Sequence, residues 1–471
     1  MVKETEIKLR ATPEALAAVK QHPLVQARMQ GEWQTGTLYN QYYDTPARDL
    51  AAAKVALRVR RDGEQFIQTL KSRGHSVAGL SERNEWDWHL QQPQLDLTVL
   101  DDSCWPEALV ELDKSLLQPI FTTDFQRTKV MLMWQREGEG EGKAVEVEAA
   151  LDQGKVLAGD AEEAICELEL EIRVGPAAAL LELALELSAE VPLMPCDISK
   201  AERGYRLFNA SSYDLRLHAG SWQAESTVDE VIAASGMQLL GHSQRLAEQY
   251  RHAGQWRLFR EMTVTLTALR ASFGVFDLAL PRSSVQAFVQ PMDNLLGQFK
   301  PLVLAGWADD EHGHKAREQA KDVFADAIND PAWGQLFVGL AFWLQSQGWT
   351  LNRPPKGQRI GALTLPRWLL AAVAKEIQEL KVPHTNDPDS AVSIWMDQQP
   401  RLARLYYLLS GFRGFLQVPE PDRLFGELNK LQALLEQYPM VEEQQKPLLM
   451  DALRKQGQRL RKLNAWRELN G

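Results

Sequence analysis

The chain has 471 residues, 45% of them hydrophobic and 24% charged, with a formal net charge of −11. Such a length allows two or three domains, each able to bury its own core. The acidic balance excludes broad, sequence-independent nucleic-acid binding, which depends on surplus Lys and Arg neutralising phosphates. Cys104, Cys166 and Cys196 are far apart and odd in number, without a CxxC pair, as expected of reduced thiols. No signal-like apolar run follows Lys3 and Glu4, and the longest apolar stretches, Leu336 to Leu344 and Trp368 to Ala374, are too short to span a bilayer. A cytoplasmic protein with neither a nucleic-acid nor a membrane partner is expected.

The first two hundred residues read as strands of one kind. In Glu4 to Arg10, side-chain alternation puts Glu4, Glu6 and Lys8 on one face and Thr5, Ile7 and Leu9 on the other. A short helix is expected over Pro13 to Lys20, then a strand from Thr37 to Tyr43 that stops at the turn Asp44-Thr45-Pro46. The phase of Tyr42 and Tyr43 is not set so near that turn. Ala56 to Arg60 aligns Arg58 with Arg60, and Asp62-Gly63 turns the chain into Gln65 to Lys71 as a hairpin. Ser81 to His89 sets Arg83, Glu85 and Asp87 against Trp86 and Trp88. Asp124 to Trp134 carries Arg127 and Lys129 in one phase, and Ala144 to Asp152 alternates Val145 and Val147 with Glu146 and Glu148. Ile165 to Arg173 sets Glu167, Glu169 and Glu171 against Leu168, Leu170 and Ile172. A helix with proline in its first turn is expected over Pro176 to Glu190, and the basic stretch Ser199 to Arg203, with Lys200, ends the region.

Acidic and basic strands are largely separate, whereas a solvated sheet face mixes its polar residues. Three carboxylates in a row on one strand repel one another unless cations lie nearby. A closed antiparallel barrel with the charged faces inside and the apolar faces covered by helices would satisfy this pattern, and a one-sided sheet would be the alternative. The lumen of such a barrel holds carboxylates for a hard divalent metal and cations for a polyanion.

Asn209 to Thr227 is small, polar and turn-prone and reads as a linker. Helical periodicity follows, over Val228 to His252, Gln255 to Phe276, Ser284 to Phe299, Lys315 to Ile328, Pro331 to Gln347, Pro366 to Leu380, Ser390 to Leu409, Pro421 to Gln437 and Gln444 to Glu468. Pro281, Pro301, Pro354, Pro355, Gly357 and Pro383 mark the expected breaks. The expected fold class is α+β: a β domain over residues 1–208, a linker over 209–226 and an all-α helical bundle over 227–471.

These residues resemble the CYTH family of triphosphate tunnel metalloenzymes. Glu4-x-Glu6-x-Lys8 matches its ExExK signature, and Tyr42-Tyr43-Asp44-Thr45-Pro46, Arg58-x-Arg60, Lys71, Arg83-x-Glu85, Arg127, Glu148 with Asp152, Glu169-x-Glu171 and Lys200 follow in the family's order. The helical part is similar to a CHAD domain, with His252, Arg257, Arg260, Arg270, Arg401 and Arg404 in the corresponding helices and Thr263 to Thr267 standing where that module carries basic residues. The resemblance implies an eight-stranded antiparallel tunnel, a magnesium or manganese ion, and hydrolysis of inorganic triphosphate to pyrophosphate and orthophosphate by a metal-oriented water attacking in line. On this reading Lys8, Glu4 and Glu6 are catalytic, with Lys8 organising the water or the transferred group. Arg58, Arg60, Lys71, Arg127 and Lys200 bind substrate, and Glu85 and Glu148 orient these cations. Glu169 and Glu171 lead the metal ligands, joined by Glu4, Glu6 and Asp152. Rival readings are class IV adenylate cyclase or thiamine-triphosphate chemistry, or a non-catalytic polyphosphate binder, with polyphosphate as a partner of the helical domain.

Overall fold

The structure, a computed structural model, describes residues 2–72, 74–77, 79–135, 144–209, 215–217, 220–381, 388–438 and 441–470. The chain divides into two compact units, one of Met1–Arg216 with Ala325–Phe342 and one of Leu217–Phe324 with Trp343–Gly471.

The first unit is built on one antiparallel sheet: β1 (Val2–Arg10), β2 (Met29–Asp44), β3 (Ala56–Asp62), β4 (Gln65–Lys71), β5 (His75–Val77), β6 (Leu80–Leu90), β7 (Gln118–Gln135), β8 (Ala144–Ala158), β9 (Ala161–Val174) and β10 (Met194–Pro195). The strand order β1-β9-β8-β7-β2-β3-β4-β6 returns to β1 through a β1–β6 pairing. Eight strands thus close into a barrel, with β5 added to β6 and β10 to β1. All eight strands expected from the sequence are present, and the open one-sided sheet is excluded.

The apolar faces point outwards. Ile7, Leu9, Leu57, Val59, Leu70, Val145, Val147, Leu168 and Leu170 are all buried, each contributing about 1.5–3 kcal/mol when fully removed from water. Two of the first unit's helices, α1 (Pro13–Gln21) and α2 (Pro23–Arg28), follow β1, α3 (Asp49–Ala52) follows β2, and α4 (Ala178–Ser188) packs on β1 and β9. Opposite them, Leu57, Val59 and Leu70 meet Leu100, Trp105 and Leu109 of the segment between β6 and β7, with Trp86 and Trp88 packed alongside.

One end of the lumen is sealed differently. The basic stretch expected at Ser199 to Arg203 is the start of a helix, α5 (Lys200–Phe208), held by a capping box between Ser199 and Glu202. Its Ala201 and Tyr205 pack with Leu38, Tyr42, Phe121 and Phe125. A Cβ at Gly204 would lie 2.1 Å from the Phe121 ring, so only glycine lets α5 approach this closely.

Several strands run further than their charge pattern. β2 starts at Met29 and not Thr37, and β7 at Gln118 and not Asp124. The β8–β9 hairpin continues past Asp152 to a tight turn at Gly159 (φ 58°), because Val156 and Ile165 bury against the sealed end of the lumen.

The remaining helices are α6 (Val228–Ala253), α7 (Trp256–Val275), α8 (Arg282–Ala305), α9 (Glu311–Ile328), α10 (Pro331–Gln345) and α11 (Pro355–Gly361). They continue as α12 (Leu365–Gln378), α13 (Pro388–Asp397), α14 (Gln399–Gly411), α15 (Pro421–Gln437), α16 (Lys446–Arg461) and α17 (Asn464–Asn470). Some expected boundaries are corrected. Pro301 lies inside α8, on its exposed face, where the carbonyl of exposed Gly297 can turn to water in place of the missing N–H. Gly357 lies inside α11. The helix expected over Ser390 to Leu409 is two, the second starting with Pro400 in its first turn, and that over Gln444 to Glu468 is also two. Pro383 lies outside the described residues.

Candidate active site

Strand register decides which charges meet. Around the inner wall, Glu4 lies opposite Arg83, Lys71 opposite Glu85, Lys8 opposite Glu169 and Arg127 opposite Asp152, all opposite-sign pairs. Glu6 and Glu148, by contrast, both lie opposite Glu171, on its two sides. The wall encloses a cavity of about 490 Å³ lined by Glu4, Glu6, Lys8, Arg58, Arg60, Lys71, Glu85, Arg127, Glu148, Glu169, Glu171 and Lys200. Asp152 is the one predicted site residue that does not line it. Fully buried, it sits behind the wall and grips Arg127 at 2.6 and 2.7 Å.

The sealed end holds a compensated network. The Lys200 ammonium bonds Asp152 at 2.7 Å and Glu169 at 2.8 Å, and also bonds Glu167. Glu167 further accepts from Arg203, and Glu169 from Arg127 and from Lys8, the last at 3.2 Å. Burial opposes ionisation of Glu167, but Arg203, Lys200 and Lys8 outweigh it and hold its carboxyl at about 2. Glu169 is likewise held well below the usual carboxylate range, against burial, by Lys200, Lys8 and Arg127. Burial works against the Lys8 ammonium as well, yet Glu6, Glu169 and Glu167 raise its pKa, so Lys8 acts as a fixed cation and not as a base.

Nearer the mouth the balance reverses. Burial, only partly offset by Arg173, together with the charges of Glu4, Glu6 and Glu148, pushes the Glu171 carboxyl up to about 7. Glu4 is shared with Lys71 at 2.7 Å and Glu6 with Lys8 at 3.1 Å. Glu148 does hold cations, as expected, but these are Lys129 and Arg173, which the sequence reading left out of the site.

Facing these carboxylates is a cationic wall. Arg58 lies 3.7 Å from Glu85, which also meets Lys71 at 3.4 Å, and the buried Arg58 Nε has no hydrogen-bond partner among the described residues. Arg60 bonds only Asn40, at 2.8 Å, and lacks a carboxylate partner among the described residues. Burial, then Arg58 and Arg127, pull its pKa down to about 10, so an arriving anion relieves a real repulsion there. Arg83 lines the same cavity. Tyr42 closes this wall: its ring stacks on Phe121 at 4.6 Å, and its phenol faces Arg58, whose charge lowers the Tyr42 pKa in spite of burial.

Sequence reasoning thus missed Tyr42, Arg83, Glu167 and Arg203 as parts of the site. Arg83 and Glu167 carried the right phase in their strands. Tyr42 shares the lumen phase of Gln34, Gly36 and Leu38, but the β2–β7 register shifts just beyond it, between Tyr42 and Tyr43, next to the turn that obscured its phase in the sequence.

Residues 2–205 match the family model described as the CYTH domain. This segment is a CYTH domain. A curated relative, an inorganic triphosphatase of Haemophilus influenzae, is 34% identical over 207 residues, which are 44% of this chain and 55% of that protein. The chain therefore spans about half the length of that relative. Among solved structures, an adenylyl cyclase candidate from Hippeastrum, described as having a dominant triphosphatase activity, is 21% identical with a TM-score of 0.32, over 45% of this chain and 97% of its own. A Pyrococcus horikoshii protein is 18% identical with a TM-score of 0.26, over 42% and 97%.

CYTH enzymes depend on a divalent metal, and this domain offers two carboxylate groups for one. Asp152, Glu167 and Glu169 bring oxygen atoms within 4.8 Å of one another, but these oxygens already bond Lys200, Arg127, Arg203 and Lys8. A cation there would have to displace buried ion pairs. The mouth set of Glu4, Glu6, Glu171 and Glu148 offers hard oxygen donors whose repulsion is only partly met by Lys71, Lys8, Lys129 and Arg173, the last two half-exposed, which suits magnesium or manganese. The residues present fit the metal, at the mouth set.

Proposed function

We propose that the CYTH domain hydrolyses inorganic triphosphate to pyrophosphate and orthophosphate, with magnesium or manganese held by Glu4, Glu6 and Glu171 and with Glu148 beside them. The observation that carries this reading is the division of one cavity into an under-neutralised carboxylate wall and an arginine wall. A pure polyanion receptor gains nothing from the first, and a pure metal site gains nothing from the second. When bound, the ion supplies Lewis-acid neutralisation of phosphoryl oxygens and orders water beside them.

The protein's own groups do the rest by position and charge. Arg58 and Arg60 present forked donors to phosphate oxygens, while Lys8 and Lys71 act as point charges tied down by Glu6, Glu169, Glu4 and Glu85. Arg127 and Lys200 are held so firmly by Asp152, Glu167 and Glu169 that they offer a fixed positive field and not a mobile clamp. A bond forms from a water oxygen to a terminal phosphorus as the bridging P–O bond on its far side breaks; the water's proton passes to an oxygen of the new orthophosphate, and pyrophosphate leaves into the cationic wall. Lys8, fixed as an ammonium beside Glu6 and Glu169, stabilises charge on the transferred group.

The named activity of the Haemophilus relative supports the substrate, and the three free cysteines suit a cytoplasmic setting. No helix among the described residues is long and apolar enough to cross a membrane. We read the helical region as a CHAD-like module, with polyphosphate as its candidate ligand.

The test is phosphate release with magnesium from inorganic triphosphate, ATP, thiamine triphosphate and long-chain polyphosphate in parallel. Rapid release from inorganic triphosphate, abolished by EDTA and by Glu171→Gln, is expected. Cyclic AMP formed from ATP would replace this reading with a cyclase, and polyphosphate binding without any release would replace it with a receptor.

A further inference from the structure

Two cations at the tunnel mouth have no part in the mechanism above. Arg173 lies two residues beyond Glu171 on the inner face of β9, and its guanidinium bridges Glu171 at 2.6 Å and Glu148 at 3.2 Å. Lys129 bonds the other oxygen of Glu148 at 3.1 Å. Both side chains are partly open to solvent, Arg173 41% exposed and Lys129 45%. The cations of the sealed end, by contrast, are buried, Lys200 at 8% and Arg203 at 0%.

A half-exposed arginine that spans two carboxylates neutralises them without being locked in place. Its hydrogen bonds compete with water, and its charge is screened by salt. The two oxygens it takes belong to the residues on which a divalent ion would draw, and they sit directly opposite each other across the β8–β9 pair.

We infer that Arg173 is an internal stand-in for the metal: it occupies the Glu148–Glu171 pair in the metal-free protein and must swing out before a divalent cation can take those oxygens. This rests on the proposed metal at the mouth set. The arrangement keeps two facing carboxylates from repelling each other, and it makes the protein's metal affinity the difference between two cations. Lys129, held by one carboxylate only, competes more weakly.

Manganese binding to the full chain without substrate, followed by electron paramagnetic resonance of free Mn²⁺, tests this without using turnover. Arg173→Gln should bind Mn²⁺ about fivefold more tightly than wild type, the ratio that corresponds to losing a partly exposed ion pair. Lys129→Gln should show a smaller gain, and Arg173→Lys should stay near wild type. Unfolding midpoints in chelator should fall slightly in Arg173→Gln, by less in Lys129→Gln, and stay near wild type in Arg173→Lys. Unaltered or weaker binding in Arg173→Gln, beside a wild type that binds, overturns the stand-in role alone. A Lys129→Gln gain as large as that of Arg173→Gln also overturns it, since it would reduce the effect to the general field at the mouth. No Mn²⁺ binding in wild type or variants overturns the metal site and this inference with it.

Discussion

Asp152, Glu167 and Glu169 at the sealed end and Glu4, Glu6, Glu148 and Glu171 at the mouth use the same chemical groups in one barrel, yet they lie on opposite sides of a charge balance. The first set is closer-packed and more buried, and by distance alone it is the better metal cage. Its charges are already met by Lys200, Arg203, Arg127 and Lys8. The second set is looser, and it leaves Glu171 between like charges. Ligand geometry is therefore not enough to find a metal site. What decides is how firmly the protein has already supplied the cation: buried Lys200 and Arg203 at the sealed end, half-exposed Arg173 and Lys129 at the mouth.

The largest effect should separate the two sets by stability. Glu167→Gln strands Lys200 and Arg203 in the interior and should destabilise the barrel by about 3–5 kcal/mol in urea unfolding. Glu171→Gln removes a strained charge and should leave the midpoint unchanged or raise it in chelated protein. Equal losses from both would erase the distinction.

Metal affinity should divide them the other way. Glu6→Gln or Glu171→Gln should weaken Mn²⁺ binding by about a hundredfold, as expected when a hard cation loses one of few carboxylates. Asp152→Asn should leave binding nearly intact, and a large loss there would point to the sealed end.

Among the cations, Arg60→Ala should weaken triphosphate binding by about thirtyfold, the value of a lost charge-assisted hydrogen bond or two, with little change in melting temperature. Arg127→Ala should lower the melting temperature as well, because it leaves Asp152 and Glu169 short of a partner. Identical stability in the two variants would contradict the division between free and tied cations.

pH gives the smallest and most specific contrast. Glu171 lies above the ordinary carboxylate value of 4.5, so the folded state binds its proton more tightly than the unfolded state does. In metal-free protein its contribution to stability is present below pH 4.5 and is lost as pH rises through about 7. Glu167 works in the opposite sense: its contribution is present above pH 4.5 and is lost as pH falls through about 2. Metal affinity should fall by up to about tenfold per pH unit below 7 as protons compete for Glu171, and a flat profile from pH 5 to 8 would remove Glu171 from the site.

Much of the barrel was legible because charged residues alternate with period two in six of its eight strands, and because ExExK and Arg58-x-Arg60 mark the lumen directly. Which carboxylates stay available was not legible. That depends on cross-strand register, which sets Glu6 and Glu148 against Glu171 but Arg127 against Asp152, and on Lys200 and Arg203 arriving from a helix that read only as a basic stretch. Asp152 was joined to the metal ligands through the family resemblance, and neither that nor strand phase carries information about its depth behind the wall. In the helical region, periodicity found the helices but not their ends, since an exposed proline such as Pro301 can be carried within a helix.

The most direct measurement is the anomalous signal of manganese in a crystal of the protein soaked in Mn²⁺. The account predicts a peak beside Glu6 and Glu171, with Arg173 turned away from Glu148. A peak enclosed by Asp152, Glu167 and Glu169, with Lys200 displaced, would contradict it.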